Sequence, residues 1–156
     1  MYSLEAIKST DPVNVSVSIH VLKLVKIDED GYSIEIQFEI TMGWKENRVT
    51  YQNLKQRDSL NALRQTDYEQ LWLPEVIYEN TDQKESTRLG SNWEWKTSLI
   101  VRREGNSSSS GQDILDETEI FVGHENSLIM SQTYTHTFQC AYKLSAYPFD
   151  TQVKFV

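Results

Sequence analysis

At 156 residues, 38% hydrophobic and 24% charged, the chain has the size and composition of one globular domain and not of a disordered segment. A formal net charge of −8 argues against a nucleic-acid partner, because phosphate binding needs a lysine and arginine surplus. No apolar run approaches the ~18–20 residues that cross a membrane, the N-terminal Met-Tyr-Ser-Leu-Glu lacks the basic start and apolar run of a signal peptide, and one cysteine permits no intrachain disulfide.

Residues 1–11 read as a lead-in with a helical turn at most, ahead of a single domain over 12–156. Val13, Val15, Val17, Ile19 and Val21 then alternate with Asn14, Ser16, Ser18 and His20, the period of a β-strand. Leu22 and Leu24 shift the apolar set by one residue, which predicts a bulge or sharp twist. Asp28, Glu29, Asp30 and Gly31 form a turn, and Asp30-Gly31 suits a tight hairpin. Tyr32, Ile34, Ile36, Phe38, Ile40, Met42 and Trp44 share one face of the next strand, so the two strands predict a long hairpin with one buried face.

Beyond Trp44-Lys45-Glu46-Asn47-Arg48-Val49, the spacing of Thr66-Asp67-Tyr68-Glu69 predicts a capped helical turn. It leads into Leu71-Trp72-Leu73-Pro74-Glu75-Val76-Ile77-Tyr78-Glu79-Asn80. Asn92 to Val101 reads as a strand, and Gly105 to Gly111, with four serines in a row, as a flexible loop. Ile120 to Val122 and Ser127 to Met130 read as strands leading to a last one, in which Tyr134, His136, Phe138, Cys140, Tyr142 and Leu144 alternate. That strand runs into Tyr147-Pro148-Phe149-Asp150, where proline fixes φ and removes a ladder donor. No internal repeat and no second domain are visible.

Chemistry-bearing patterns are sparse. Asp113, Asp116, Glu117 and Glu119 match no calcium-loop spacing and read as a solvated face. His20, His124 and His136 are scattered without paired metal spacing, so no metal and no cofactor is expected. No nucleophile sits in a recognisable elbow and no glycine-rich phosphate loop is present, so the chain does not read as an enzyme. Asn106-Ser107-Ser108 and Asn14-Val15-Ser16 are sequons, and Asn106, in a loop, is the better glycan site.

Cys140, eight residues before Pro148 and ten before Asp150, resembles the signature loop of the Cys-loop receptors, the pentameric neurotransmitter-gated ion channels. Trp44-x-Glu46-x-Arg48 resembles the family's Trp-x-Asp-x-Arg motif, and Trp72-x-Pro74-Glu75 its Trp-x-Pro-Asp, each with Glu for Asp. The three motifs stand in the family's order across residues 44–150. The resemblance implies an all-β protein, an immunoglobulin-like β-sandwich incomplete at its C-terminus. It would be part of the extracellular ligand-binding domain of a channel subunit at the plasma membrane, joined to the membrane only by segments outside this chain. Its implied partners are other subunits of a pentamer and a small-molecule neurotransmitter bound between neighbours.

Carried over position by position, Tyr78 is the ligand-facing aromatic of the first principal loop, with Glu79 the alternative and core packing the competing role for Tyr78. An aromatic wall suits an ammonium ligand through its π-face. On the complementary side the family's positions fall on Phe38 and Glu39, Thr41, Ser131 and Thr133. Relatives that bind amino acids carry an arginine where Thr41 stands, so this face looks poor for a carboxylate agonist. Asp28 to Gly31 and the Tyr147, Pro148, Phe149, Asp150 turn correspond to the parts that relay binding towards the pore. Lys154 occupies the place of the cysteine that closes the family's loop, so Cys140 should be a free thiol. The strands of the second and third principal loops, and the pore, have no counterpart here. A soluble neurotransmitter-binding protein with the same sandwich and no pore is the alternative, and an unrelated sugar- or protein-binding sandwich the third reading.

Overall fold

A computed structural model describes residues 2–4, 12–68, 70–81, 97–110 and 118–140. Among these residues, eight antiparallel strands form two four-stranded sheets. In chain order they are β1 (Tyr2–Leu4), β2 (Val15–Asp28), β3 (Ser33–Lys45), β4 (Val49–Gln52), β5 (Thr97–Arg102), β6 (Ser108–Ser110), β7 (Thr118–Val122) and β8 (Ser127–Gln139). The larger sheet runs β2-β3-β8-β5 and the smaller one β1-β4-β7-β6. The fold is all-β, as the alternating patterns predict; the helical turns among the described residues are a 3₁₀ turn at Asp58–Leu60 and α1 at Gln65–Tyr68.

The core lies between the sheets. Ile40, Met42 and Trp44 of β3, Leu99 and Val101 of β5, and Leu128 and Met130 of β8 meet Val49 and Tyr51 of β4 and Phe121 of β7. A second cluster at the other end of β3 joins Phe38, Tyr78 and Phe138, with Ile34, Ile36, Val76 and Tyr134 against it. Apart from Val76 and Tyr78, which lie outside the strands, these are the inward residues of strict alternation, and burying them is what holds the sheets together.

The bulge expected near Leu22 is present, and a second follows. Register slips between Val21 and Lys23 and again between Leu24 and Lys26. Each slip inserts one residue. Val21, Leu24 and Ile27 therefore stay on the face of Val15, Val17 and Ile19, opposite Phe38, Ile36 and Ile34. The buried face expected of the hairpin exists only on β3: Ile40 and Met42 are inaccessible, while their β2 neighbours Ile19 and Val17 are 62% and 53% exposed. The smaller sheet covers β3, β8 and β5 and stops short of β2.

Five other expectations change. The hairpin turn spans Glu29–Tyr32 and is not a two-residue Asp30-Gly31 turn. Tyr32, at φ 49°, takes the left-handed position, and the Asp28 carboxylate accepts the Gly31 N–H at 3.0 Å. Residues 2–4, placed in a lead-in, pair with β4 in the register Tyr2↔Tyr51. Ser108–Ser110, read as flexible from composition, pairs with β7, and the Ser107 hydroxyl contacts the Glu119 carboxylate at 3.3 Å. Local hydrogen-bond partners overrode composition there. Helix α1 begins before Thr66, because the Asp67 carboxylate reaches back to the Arg64 N–H at 2.8 Å. The strands expected at 127–130 and from 134 are one strand. Tyr142, Leu144, residues 92–96 and the acidic residues 113, 116 and 117 lie outside the described residues.

Candidate functional site

The long pairing of β3 with β8 sets the geometry of the residues expected on the complementary face. Glu39 stands opposite Thr133, and Thr41 opposite Ser131. The Thr41 and Ser131 hydroxyls share a hydrogen bond at 3.1 Å. β2 extends one rung with Ser18 beside Thr41 and the next with His20 beside Glu39, and β5 adds Ser98 beside Ser131. All point away from the core, since their neighbours Phe38, Ile40 and Met42 are buried. On these two rungs the result is a patch of hydroxyls with one carboxylate, Glu39, among them. No arginine stands on either rung.

Phe38 and Tyr78 face the opposite way. Phe38 is 2% and Tyr78 9% exposed, and their rings meet edge to face at 5.7 Å. His136 lies 4.7 Å from the Tyr78 ring and stacks on Tyr134 at 5.3 Å, while Phe138 closes the group. Burial pushes the Tyr78 hydroxyl up to about 12, because the phenolate would have to form away from water. That hydroxyl has no hydrogen-bond partner among the described residues. The segment carrying Tyr78 is held along β8 by a bridge from Thr81 to Phe138 and by the Gln139 N–H donating to the Asn80 carbonyl at 3.0 Å. Glu79 and Ile77 point to solvent there.

The motif residues form a scaffold. Trp44 is buried and meets Trp72 edge to face at 6.3 Å. Arg48 grips Glu46 with two hydrogen bonds, Nε to Oε1 at 2.7 Å and Nη2 to Oε2 at 2.6 Å. Glu46 is 3% exposed, and its carboxyl is held below the ordinary range, first by the Arg48 hydrogen bonds and against the cost of burial. Gly123 passes so close that a Cβ there would collide with the Glu46 carbonyl oxygen. Pro74 is half-buried and Glu75 exposed.

At the sheet's other end, the Asp28 carboxyl is lowered chiefly by the Gly31 N–H and then by Lys26, whose ammonium lies 3.1 Å away. The Cys140 N–H donates to the Tyr32 carbonyl at 2.7 Å, so Cys140 lies beside the end of the hairpin turn. Cys140 is a free, half-buried thiol. Tyr147, Pro148, Phe149 and Asp150 lie outside the described residues. Asn106 and Asn14 are both exposed.

Two polar residues escaped the sequence reading. Asn126, inaccessible to solvent, accepts the Glu104 and Gly105 N–H groups and donates to the Val122 carbonyl. Asn61 bonds both backbone groups of Lys55 and the Val101 carbonyl. No spacing marks either asparagine in the sequence. A groove of about 560 Å³ beside Asn61, lined by Leu54, Leu63, Arg64 and Asp67, lies apart from the hydroxyl-rich face. No group of three or more potential metal ligands occurs among the described residues, and no helix there is long and apolar enough to cross a membrane.

A family model described as the neurotransmitter-gated ion-channel ligand binding domain matches residues 3–106, more than half of the chain. The matched span holds Trp44, Arg48, Trp72, Pro74 and Tyr78, and ends before β8 and Cys140. No curated protein matches the chain.

Proposed function

Because the chain belongs to the family of neurotransmitter-gated ion-channel ligand-binding domains, we propose that it supplies the complementary side of an agonist site between subunits. The observation that carries the reading is the outward face of β3 and β8, where Glu39, Thr41, Ser131 and Thr133 are nearest neighbours on two rungs. In a head-to-tail ring each subunit offers two different surfaces to its neighbours. The Tyr78–Glu79 segment, at the opposite edge of β8 from β3, would serve the other one.

Charge decides the class of ligand. A face with a carboxylate and hydroxyls but no arginine offers nothing bidentate to a carboxylate agonist. It suits an ammonium group, which Glu39 attracts and the hydroxyls solvate. Tyr78, packed inside, supports the segment bearing Glu79. Agonist binding, pentameric assembly and coupling to a pore through the 28–31 turn belong to the complete subunit.

The test is the agonist concentration–response of the complete subunit in voltage clamp. Glu39→Gln and Thr41→Trp should shift the half-maximal concentration upward by about 10-fold or more, the size of one lost charged hydrogen bond. Unchanged responses in both variants, with normal surface expression, would remove the reading.

A further inference from the structure

His20 is the direct partner of Glu39 across the β2–β3 ladder. We propose that His20 is a specificity-determining residue of the ammonium site: its own proton competes with the ligand for Glu39, so the site takes a cation at neutral pH and loses it in acid. The inference rests on the ammonium reading above and adds the regulation of that site.

The placement follows from register. Ile19 and Val21 stand opposite Ile40 and Phe38, which are buried on the inward side, so His20 and Glu39 share the outward face. Side chains directly opposite in an antiparallel ladder have Cβ atoms about 4.5–5.5 Å apart. The ladder is regular from Val15 to Val21, and the first bulge falls beyond this pair.

The other positions around Glu39 on that face are Gln37 and Thr41 on β3, Ser18 on β2, and Ser131, Thr133 and Thr135 on β8. None of the six side chains titrates near neutral pH. Lys23 stands opposite Gln37, and further along the ladder Glu35 stands opposite Lys26. Lysine and glutamate side chains ordinarily keep their charge from pH 5.5 to 8, whereas histidine changes its charge within that range. On these three strands, the group that switches beside Glu39 is therefore His20.

With the imidazole neutral, the Glu39 carboxylate keeps its full charge for an ammonium group. Once protonated, the imidazolium pairs with that carboxylate and sets a positive charge beside the place the ligand's ammonium would take. Both effects weaken cation binding as pH falls. By linkage, a bound ammonium disfavours the proton on His20 to the same degree.

Paired thiol labelling reads the charge at this spot without an agonist. Thr41→Cys, two residues from Glu39 on the same face, is placed in the 156-residue chain with Cys140→Ser. It is labelled at about 10 mM salt with a trimethylammonium and, separately, with a sulfonate methanethiosulfonate. Both reagents consume the same thiolate, so the ratio of their rates cancels its titration and reports the local potential. The cation-to-anion ratio should fall about 3-fold from pH 8 to pH 5.5, as one added charge about 8 Å away requires. His20→Gln should flatten that dependence, and His20→Lys should hold the ratio low at both values. A ratio that does not fall in the parent chain overturns the proposal, as does one that still falls in His20→Gln or stays high in His20→Lys. Glu39→Gln should lower the ratio at pH 8. If it does not, the ammonium reading itself fails and takes this inference with it.

Discussion

Replacing Arg48 with alanine tests how the scaffold beneath the site is held. Glu46 is almost wholly buried, and its two carboxylate oxygens are bound by the two nitrogens of one guanidinium. A charge left alone in a fully buried pair costs about 3–5 kcal/mol. The Arg48 side chain is 39% exposed, so water can follow into the space it leaves. The expected loss is therefore lower, about 2 kcal/mol at pH 7, or about 1 M in a urea midpoint.

The pH dependence should also reverse. In the unaltered protein the Glu46 carboxyl is depressed below 4.5, so its contribution is complete above that value and disappears as pH falls through the lower folded value. Without the Arg48 side chain, burial outweighs the remaining hydrogen bond from the residue-48 N–H and raises the carboxyl. Stability from that group is then present at low pH and lost as pH rises, so the Arg48→Ala penalty should shrink between pH 7 and pH 4. Urea melts followed by tryptophan fluorescence at the two pH values measure this, since Trp44 lies two residues from Glu46. A penalty under 0.5 kcal/mol at pH 7, or one that does not change with pH, would refute the reasoning.

Gly123→Ala should lower the urea midpoint by more than about 1 M, because the added Cβ meets backbone that cannot turn aside. A change near zero would mean that the Glu46–Val49 turn yields. Tyr78→Phe removes a buried hydroxyl without a partner among the described residues, so stability should hold or rise by up to about 1 kcal/mol. A loss above 1 kcal/mol would point to a partner for that hydroxyl. Thiol titration of the unfolded, unreduced chain should find one group, Cys140. Calorimetry of the 156-residue chain with acetylcholine, GABA, glycine and glutamate should show no binding, because the site proposed above takes its contacts from two neighbouring subunits. A micromolar isotherm for any of the four would contradict this.

The larger sheet was readable because β3 obeys strict alternation from Ile34 to Trp44, and even the bulge after Val21 left its mark in the phase shift at Leu22. What alternation could not show is whether an apolar face has anything to cover it. Val17 and Ile40 look alike in sequence, yet one is 53% exposed and the other inaccessible. The serines of β6 were misread because their strand rests on main-chain pairing with β7, which side-chain composition does not report. Among the candidate residues, those on regular strands fall where period two puts them: Glu39, Thr41, Ser131 and Thr133 share one face. Tyr78 sits outside any regular strand, where Ile77 and Tyr78 compete to point inward. The bridge from Thr81 to Phe138 favours Tyr78, leaving Ile77 65% exposed. No local pattern encodes that choice.

Cysteine protection at Thr41 tests the central claim, that the hydroxyl-rich face of β3 and β8 lies against a neighbour and its ligand. Thr41→Cys in a Cys140→Ser background should react readily with a charged methanethiosulfonate reagent in the separate chain, where that face is open. In the assembled complete subunit the rate should fall by about 10-fold or more when an ammonium agonist is bound, as contact with ligand and neighbour excludes the reagent. Equal rates in the separate chain, the assembly and the agonist-bound assembly would contradict the account.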